Sequence, residues 1–253
     1  MGLLDGTVAL ITGASSGIGA ATASSLASHG ATVVLAARRT ARIEEAAAKV
    51  RADGGTALAL TADITRAQDA REIVSRTVEK FGRLDTLVNN AGTMLLGPAV
   101  DAPLEEWERM VRLNLLGLMY CTHAALPVLL EAAAGSRRQV ADLVNVSSVA
   151  GRFPRSGSSG YNAAKFGVTG FSEAIRQEVT RRHVRVSVLE PGAVETELVS
   201  HNRPEIQERH AQRFADTKKM EAADIADTIA FVVTRPWYVS LNEIVLRPTE
   251  QDN

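Results

Sequence analysis

Val8-Ala9-Leu10-Ile11-Thr12-Gly13-Ala14-Ser15-Ser16-Gly17-Ile18-Gly19 is the stretch on which the fold turns. A short apolar run breaks at Thr12 into glycines interleaved with hydroxyls, and the chain then enters the Ala-rich segment Ala20–Ala27. A strand that ends in glycines and opens a helix reads as a phosphate cradle. Glycine allows a tight turn and close approach of the backbone to a pyrophosphate, while free N–H groups and the helix dipole favour an anion. The spacing departs from G-x-G-x-x-G, and taken alone the turn reads equally well as a structural one.

Outward from this turn the same rhythm repeats. Short β-branched runs alternate with longer amphipathic or Ala-rich stretches, separated by Gly, Asn or Asp. Strands are predicted near Val8–Thr12, Thr32–Ala37, Thr56–Thr61, Thr86–Val88, Asp142–Val146, Arg185–Leu189 and Glu243–Leu246. Most are continuous apolar runs, which suit a parallel sheet covered on both faces by helices joined through right-handed crossovers. The expected fold is therefore α/β: an open, doubly wound, Rossmann-like parallel sheet of about seven strands. A chain of 253 residues suits one large domain better than two small ones. Two helices are predicted around the candidate chemistry, near Asn114–Ala134 and Tyr161–Arg182. The first is apolar almost all round, so it is either internal or carries a second buried face between subunits. Ala132–Arg138 reads as a surface loop and Ser200–Thr217 as a polar, mobile one, after the sixth strand where ligands bind in such sheets.

Composition narrows the function. Apolar residues make up 45% and charged residues 23%, which excludes a disordered or fibrous chain. A net charge of -1 offers no broad attraction for nucleic acid or anionic lipid, so a small-molecule partner is expected. Cys121 is the only cysteine, which excludes an intrachain disulfide or a multi-cysteine metal site and fits a reducing compartment, the cytoplasm. No basic segment precedes an apolar h-region, no apolar run reaches membrane-spanning length, and Gly6 sits where myristoylation requires Ser or Thr; neither membrane nor export is expected. His29, His123, His183, His201 and His210 have no metal-ligand spacing, so no metal is assigned. His201 and His210 fall in the segment near the expected ligand. Trp107 and Trp237 read as packing residues and Cys121 as buried.

The second strand ends in Ala36-Ala37-Arg38-Arg39, without the acid that would bind the ribose 2′-OH of NAD. Two guanidiniums there suit the 2′-phosphate of NADP, so NADP(H) is preferred and NAD(H) remains possible. Asp63 follows the third strand and Asn89-Asn90-Ala91-Gly92 the fourth, both at the edge where the crevice should lie. Tyr161 and Lys165 share one face of a helix. A nearby ammonium and an oxidised nicotinamide each stabilise phenolate, lowering a reference tyrosine pKa of about 10 toward a value useful for proton transfer. Ser148, just past the fifth strand, can donate to a substrate oxygen. Bland alternatives stand beside these: a solvated Arg pair, an Asn-Gly turn, and capping by Ser147 and Ser148.

Taken together, Thr12–Gly19, Asn89–Gly92, Asn114, Ser148, Tyr161, Lys165 and Pro191-Gly192 resemble, in order and spacing, the short-chain dehydrogenase/reductase family from Gly6 to about Thr249. The resemblance implies Tyr161 as proton donor or acceptor, Ser148 positioning the carbonyl oxygen, and Lys165 gripping the nicotinamide ribose. It implies that Asn114 interrupts a helix and helps hold a water leading from the lysine to solvent. Gly13, Ser16, Ile18 and Asn90 match dinucleotide contacts, within a cradle that also holds Ser15, Gly17 and Gly19 and beside Ala91 and Gly92. Asp63 and Ile64 match the adenine side, and Val194 and Thr196, after Pro191 and Gly192, match the nicotinamide carboxamide. Members pair their long helices into dimers and tetramers, so a homo-oligomer, a homotetramer in the fullest case, is expected. The runs Met94–Pro98, Asn114–Tyr120, Lys165–Val168 and Glu243–Thr249 are similar to clavulanic acid dehydrogenase, whereas Ala132–Ala141 is longer than usual and Ser200–Thr217 has no match. The activity implied is an NADP-dependent carbonyl reductase or alcohol dehydrogenase acting on a small aldehyde, ketone or hydroxy acid. A non-catalytic NADP(H) redox sensor and a non-redox lyase or epimerase are the alternatives on the same scaffold.

Overall fold

The apolar runs become one parallel sheet, with strands β1 (Val8–Thr12), β2 (Thr32–Ala37), β3 (Ala57–Thr61), β4 (Thr86–Asn89), β5 (Ala141–Val146), β6 (Val184–Pro191) and β7 (Glu243–Leu246). The computed structural model describes residues 2–252. Helices α1 (Gly17–Ser28), α2 (Thr40–Ala52), α3 (Ala67–Phe81), α4 (Leu104–Met110), α5 (Leu118–Gly135), α6 (Ser159–Val179), α7 (Pro204–Arg213) and α8 (Ala222–Val233) run between and after the strands. The sheet has seven strands in the order β3-β2-β1-β4-β5-β6-β7, and every neighbouring pair is parallel.

Side chains leave a strand alternately to the two faces, and the core obeys that period. Val8, Leu10, Val34 and Ala36 join the core under α3, α5 and α6, while Ala9, Ile11, Val33 and Leu35 join the one under α1, α2 and α8. From β1 the chain builds outward through β2 and β3, then returns to place β4 on the other side of β1. That reversal opens a crevice above the carboxyl ends of β1 and β4.

Five expectations need correcting. The helix expected to start at Asn114 starts at Leu104: α4, a π-helical segment Val111–Gly117 and α5 form one continuous helix to Gly135. It consumes half of the expected Ala132–Arg138 loop, because Ala132 and Ala133 are buried against the sheet. By length and hydropathy alone this helix is able to cross a bilayer, against the expectation that no apolar run reaches that length. Here it serves as a core helix, with Cys121, Ala125 and Leu129 fully buried. The Ser200–Thr217 segment is ordered as a 3-10 turn (Glu197–His201) and α7, whose Pro204 sits in the first turn beside Glu205. Finally, Trp107 packs inside, whereas Trp237 is half exposed and stacks on His183 with ring centroids 5.2 Å apart.

Candidate active site

The Gly-rich turn is built by close backbone approach. Gly13 has φ +65, and a Cβ there would lie 2.6 Å from Ala91 Cα; one on Gly19 would lie 2.5 Å from the Gly13 carbonyl oxygen. The ends of β1 and β4 are knitted by Thr12 Oγ1, which accepts from the N–H groups of Asn90 (3.0 Å) and Ala91 (3.2 Å). Asn90 Nδ2 donates back to the Thr12 carbonyl at 3.0 Å. No side chain caps the N-terminus of α1 and no acid lies in its first turn. Its first N–H groups therefore stay open to an anion, while the two glycines let the turn pack tightly against itself and the Asn90–Ala91 segment.

A single continuous cleft runs from this turn across the sheet's carboxyl edge. It is lined by Gly13, Ser15, Ser16, Gly17 and Ile18, by Arg38 and Arg39, by Asp63 and Ile64, and by Asn90, Ala91 and Gly92. Ser148, Tyr161, Lys165, Pro191, Gly192, Val194 and Thr196 complete the wall. Two expected residues do not reach it. Gly19 packs behind the turn, and Asn114 is buried with its whole amide spent on one neighbour: Oδ1 accepts from Thr93 N–H and Nδ2 donates to the Thr93 carbonyl, each at 2.8 Å. The two arginines differ. Arg39 donates to Ser15 Oγ (2.9 Å), Ser16 Oγ (2.8 Å) and Glu197 (2.9 Å), while Arg38 is exposed and has no hydrogen-bond or ion-pair partner among the described residues. Asp63 accepts from the Thr65 backbone and hydroxyl, which shapes the loop after β3.

At the middle of the cleft, Ser148 caps a 3-10 turn through Ala150 N–H (3.2 Å) and donates to the Pro191 carbonyl (3.3 Å). The capping alternative is thus real, yet the same hydroxyl lies near enough to the Tyr161 phenol to pull its pKa down. Tyr161 and Lys165 lie one turn apart on α6, with the ammonium 5.8 Å from the ring centroid and donating to the Val146 carbonyl at 2.7 Å. A chain of amides underneath fixes these elements: Asn89 Nδ2 donates to Asn145 Oδ1 (2.9 Å), and Asn145 Nδ2 to Ser172 Oγ of α6 (2.8 Å). The expected lowering of the tyrosine pKa is not what the protein alone produces. Burial pushes Tyr161 up to about 12 against the pull of Ser148, and burial pushes Lys165 down to about 8. Desolvation disfavours the charged form of each, phenolate and ammonium alike.

The outer end of the cleft was mostly illegible in the sequence. Met94, Leu96, Phe153, Arg155, Leu198, Arg213 and Phe214 line it, drawn from loops far apart in the chain. His201 and His210, weighed as substrate contacts, line it too, and burial lowers both pKa values below the ordinary histidine value. Asn202 joins two of these loops, accepting from Leu96 N–H (2.7 Å) and donating to the Met94 carbonyl (2.8 Å). No motif spacing announces such a cross-link.

With this geometry in place, comparison with known proteins is decisive. The family model described as short chain dehydrogenase matches residues 7–207. The chain belongs to the short-chain dehydrogenase family. Among curated relatives of this short-chain dehydrogenase, an uncharacterised oxidoreductase of Staphylococcus aureus is 32% identical over 248 residues, 98% of this chain and 100% of the relative. A metagenomic short-chain oxidoreductase solved in complex with NADP is 31% identical, with a TM-score of 0.81 over 98% of this chain and 99% of that one. The 3-ketoacyl-(acyl-carrier-protein) reductase of Brucella melitensis, solved with NADH, is 32% identical, with a TM-score of 0.83 over 96% and 97%. This short-chain dehydrogenase is accordingly an oxidoreductase with the seven-stranded fold of its relatives.

Proposed function

We propose that the chain is an NADP-dependent carbonyl reductase or alcohol dehydrogenase, one dinucleotide-binding domain over its whole length, acting on a small aldehyde, ketone or hydroxy acid in the direction of reduction. The observation that carries this reading is the convergence of Ser148, Tyr161 and Lys165 on one wall of a cleft continuous with the Gly-rich turn. The turn and the open first turn of α1 would hold the pyrophosphate, Arg38 the 2′-phosphate, Asp63 and Ile64 the adenine side, and Val194 and Thr196 the carboxamide. NADP in one related structure and NADH in another support this cofactor class, with NAD(H) as the weaker alternative. When bound, the reduced dinucleotide supplies the hydride.

The protein's own part is proton handling and orientation. Ser148 Oγ would turn its proton from the Pro191 carbonyl to the substrate oxygen and hold that oxygen against Tyr161. The Tyr161 hydroxyl, kept protonated by burial, gives that oxygen its proton. Lys165 holds the ribose and stabilises the phenolate left behind. Asn114 acts as a positioning residue, since it holds the Thr93 backbone rather than facing the cleft. The likeness to clavulanic acid dehydrogenase supports a carbonyl substrate. We further read the assembly as a homo-oligomer, a dimer or tetramer, and the compartment as the cytoplasm, where the buried Cys121 stays reduced.

Loss of reduced-nicotinamide absorbance with NADPH and NADH, against aldehydes, ketones and β-keto acids, tests the proposal. Turnover with NADPH is the expected result. Binding of NADPH with no net turnover across the panel would transfer the assignment to a redox sensor or a non-redox lyase.

A further inference from the structure

Three guanidiniums gather at the outer end of the cleft with no acid to answer them. Arg155 lines the cleft between β5 and α6, Arg213 lines it from the end of α7, and Arg247 follows β7. Arg155 Nη2 and Arg247 Nε are shielded from solvent and have no hydrogen-bond partner. Among the described residues none of the three forms an ion pair, whereas Arg83, Arg152 and Arg185 are each bound to a carboxylate. Arg247 lies over the Phe153 ring at 5.2 Å and Arg213 over the Phe214 ring at 5.4 Å, and both rings line the cleft. Burial and then the charges of Arg213 and Arg247 push the Arg155 pKa down, so the three fields overlap. The acids of the cleft are elsewhere: Asp63 shapes the loop after β3 and Glu197 is paired with Arg39.

Like charges held close, with donors turned away from water, are unfavourable unless a counter-charge enters. The planar fork of a guanidinium fits a carboxylate or phosphate through paired N–H donors. We propose that Arg155 and Arg213, backed by Arg247, form a subsite for an oxyanion, carboxylate or phosphate, carried by the substrate at the end remote from its carbonyl. This rests on the cleft being a carbonyl-reducing site, and it narrows that site to anionic substrates. These arginines determine specificity and take no part in the proton transfer.

The probe is a matched pair, 4-oxobutanoate and its methyl ester, which differ in the charge at the far end. With NADPH the acid should exceed the ester in kcat/KM by about thirtyfold, the scale of a charge-assisted contact. Arg155→Gln should lower kcat/KM for the acid by about tenfold or more, through KM, and leave the ester within about twofold; Arg155→Lys should recover part of the loss. Arg213→Gln, at an exposed position, should act in the same sense without disturbing the fold. Equal use of acid and ester, or an equal loss of both in the variants, overturns the subsite. Should neither this pair nor any carbonyl of the wider panel turn over while NADPH binds, the redox reading fails on its own. Calorimetric titration of the NADP-loaded protein with succinate, inorganic phosphate and succinamide then reads the subsite. Heat from an oxyanion, absent with succinamide and lost in Arg155→Gln, supports it and shows whether carboxylate or phosphate is preferred; no heat from either anion overturns it.

Discussion

Burial drives Tyr161 and Lys165 in opposite directions, up to about 12 and down to about 8, and each shift has its own test. A tyrosine that stays protonated across neutral pH is suited to giving a proton. Tyr161→Phe removes only that proton, so turnover should fall by about a thousandfold while the NADPH dissociation constant changes less than about threefold; survival of activity in single-turnover assays would remove Tyr161 from the mechanism. For Lys165 the folded pKa lies below the ordinary value of 10.5, so the folded state binds fewer protons between about 8 and 10.5. Stability therefore rises with pH through that window, and below about 8 the buried ammonium opposes folding by about 3 kcal/mol. Loss of the bond to the Val146 carbonyl offsets about 1 kcal/mol of any gain from removing the charge. Lys165→Met should thus abolish reduction yet raise the Tm of the cofactor-free protein at neutral pH by about 5 °C, a gap that closes as pH climbs past the folded pKa. Thermal melts across pH decide it: a lower Tm at neutral pH would mean that the ammonium is not strained. The pairing of these two side chains was legible from their spacing, but the sign of the tyrosine shift was not. Spacing reports which groups are neighbours; desolvation depends on everything packed around them.

The long helix shows how an element can be half read. Its apolar length was evident from Leu115 onward, but α4 before it is a short, mostly polar stretch with Glu105, Glu106 and Arg109, whose apolar Leu104, Trp107 and Met110 are too few to extend that run. The π-helical segment Val111–Gly117 then lets Asn114 act as a surrogate backbone for Thr93, just past the cleft-lining Asn90–Gly92 run. Asn114→Ala orphans one buried N–H and one buried carbonyl, which should destabilise the fold by about 2–4 kcal/mol and lower kcat/KM more than NADPH affinity; chemical denaturation with parallel kinetics reads both, and an unchanged stability would deny the clamp. Strands were far more legible than this helix because both faces of the central sheet are covered, so β1 and β2 begin and end where their predicted runs do. α7 was lost for the opposite reason: only Ile206 of it is buried, leaving Pro204 as its one clear signal. At the end of β2 the sequence offered two guanidiniums, and the structure tells them apart. Among the described residues Arg38 has no hydrogen-bond or ion-pair partner where Arg39 is bound, so Arg38→Ala should weaken NADPH by about thirtyfold and NADH by less than about twofold. Equal losses in fluorescence titrations would place the phosphate elsewhere.

At the scale of the whole molecule, the cores on the two sheet faces account for most of the apolar sequence but leave the outer face of the long helix and α6 without a cover. Along the long helix, Leu116 and Met119 are only half buried and join neither core. On the adjacent α6, Ala163, Phe166 and Gly170 are exposed, with Phe166 43% accessible. The two helices pack closely side by side, since a Cβ on Gly167 would lie 2.8 Å from Leu115 Cδ2. Together they present an apolar, small-residue surface beside the segment that carries Tyr161 and Lys165. Covering it with the same surface of a second copy gives an isologous contact. Its central ring is Phe166, and placing a charge there leaves two guanidiniums facing across the two-fold axis. Sedimentation of the wild-type chain at micromolar concentration should therefore give a multiple of 27.0 kDa, and Phe166→Arg should shift the population toward the monomer. Because α6 holds Tyr161 and Lys165 on its opposite face, dissociation should also loosen the cleft, and kcat should fall with the oligomer rather than with the charge. A wild-type monomer at that concentration would leave the helix pair solvated and end the case for assembly through this face.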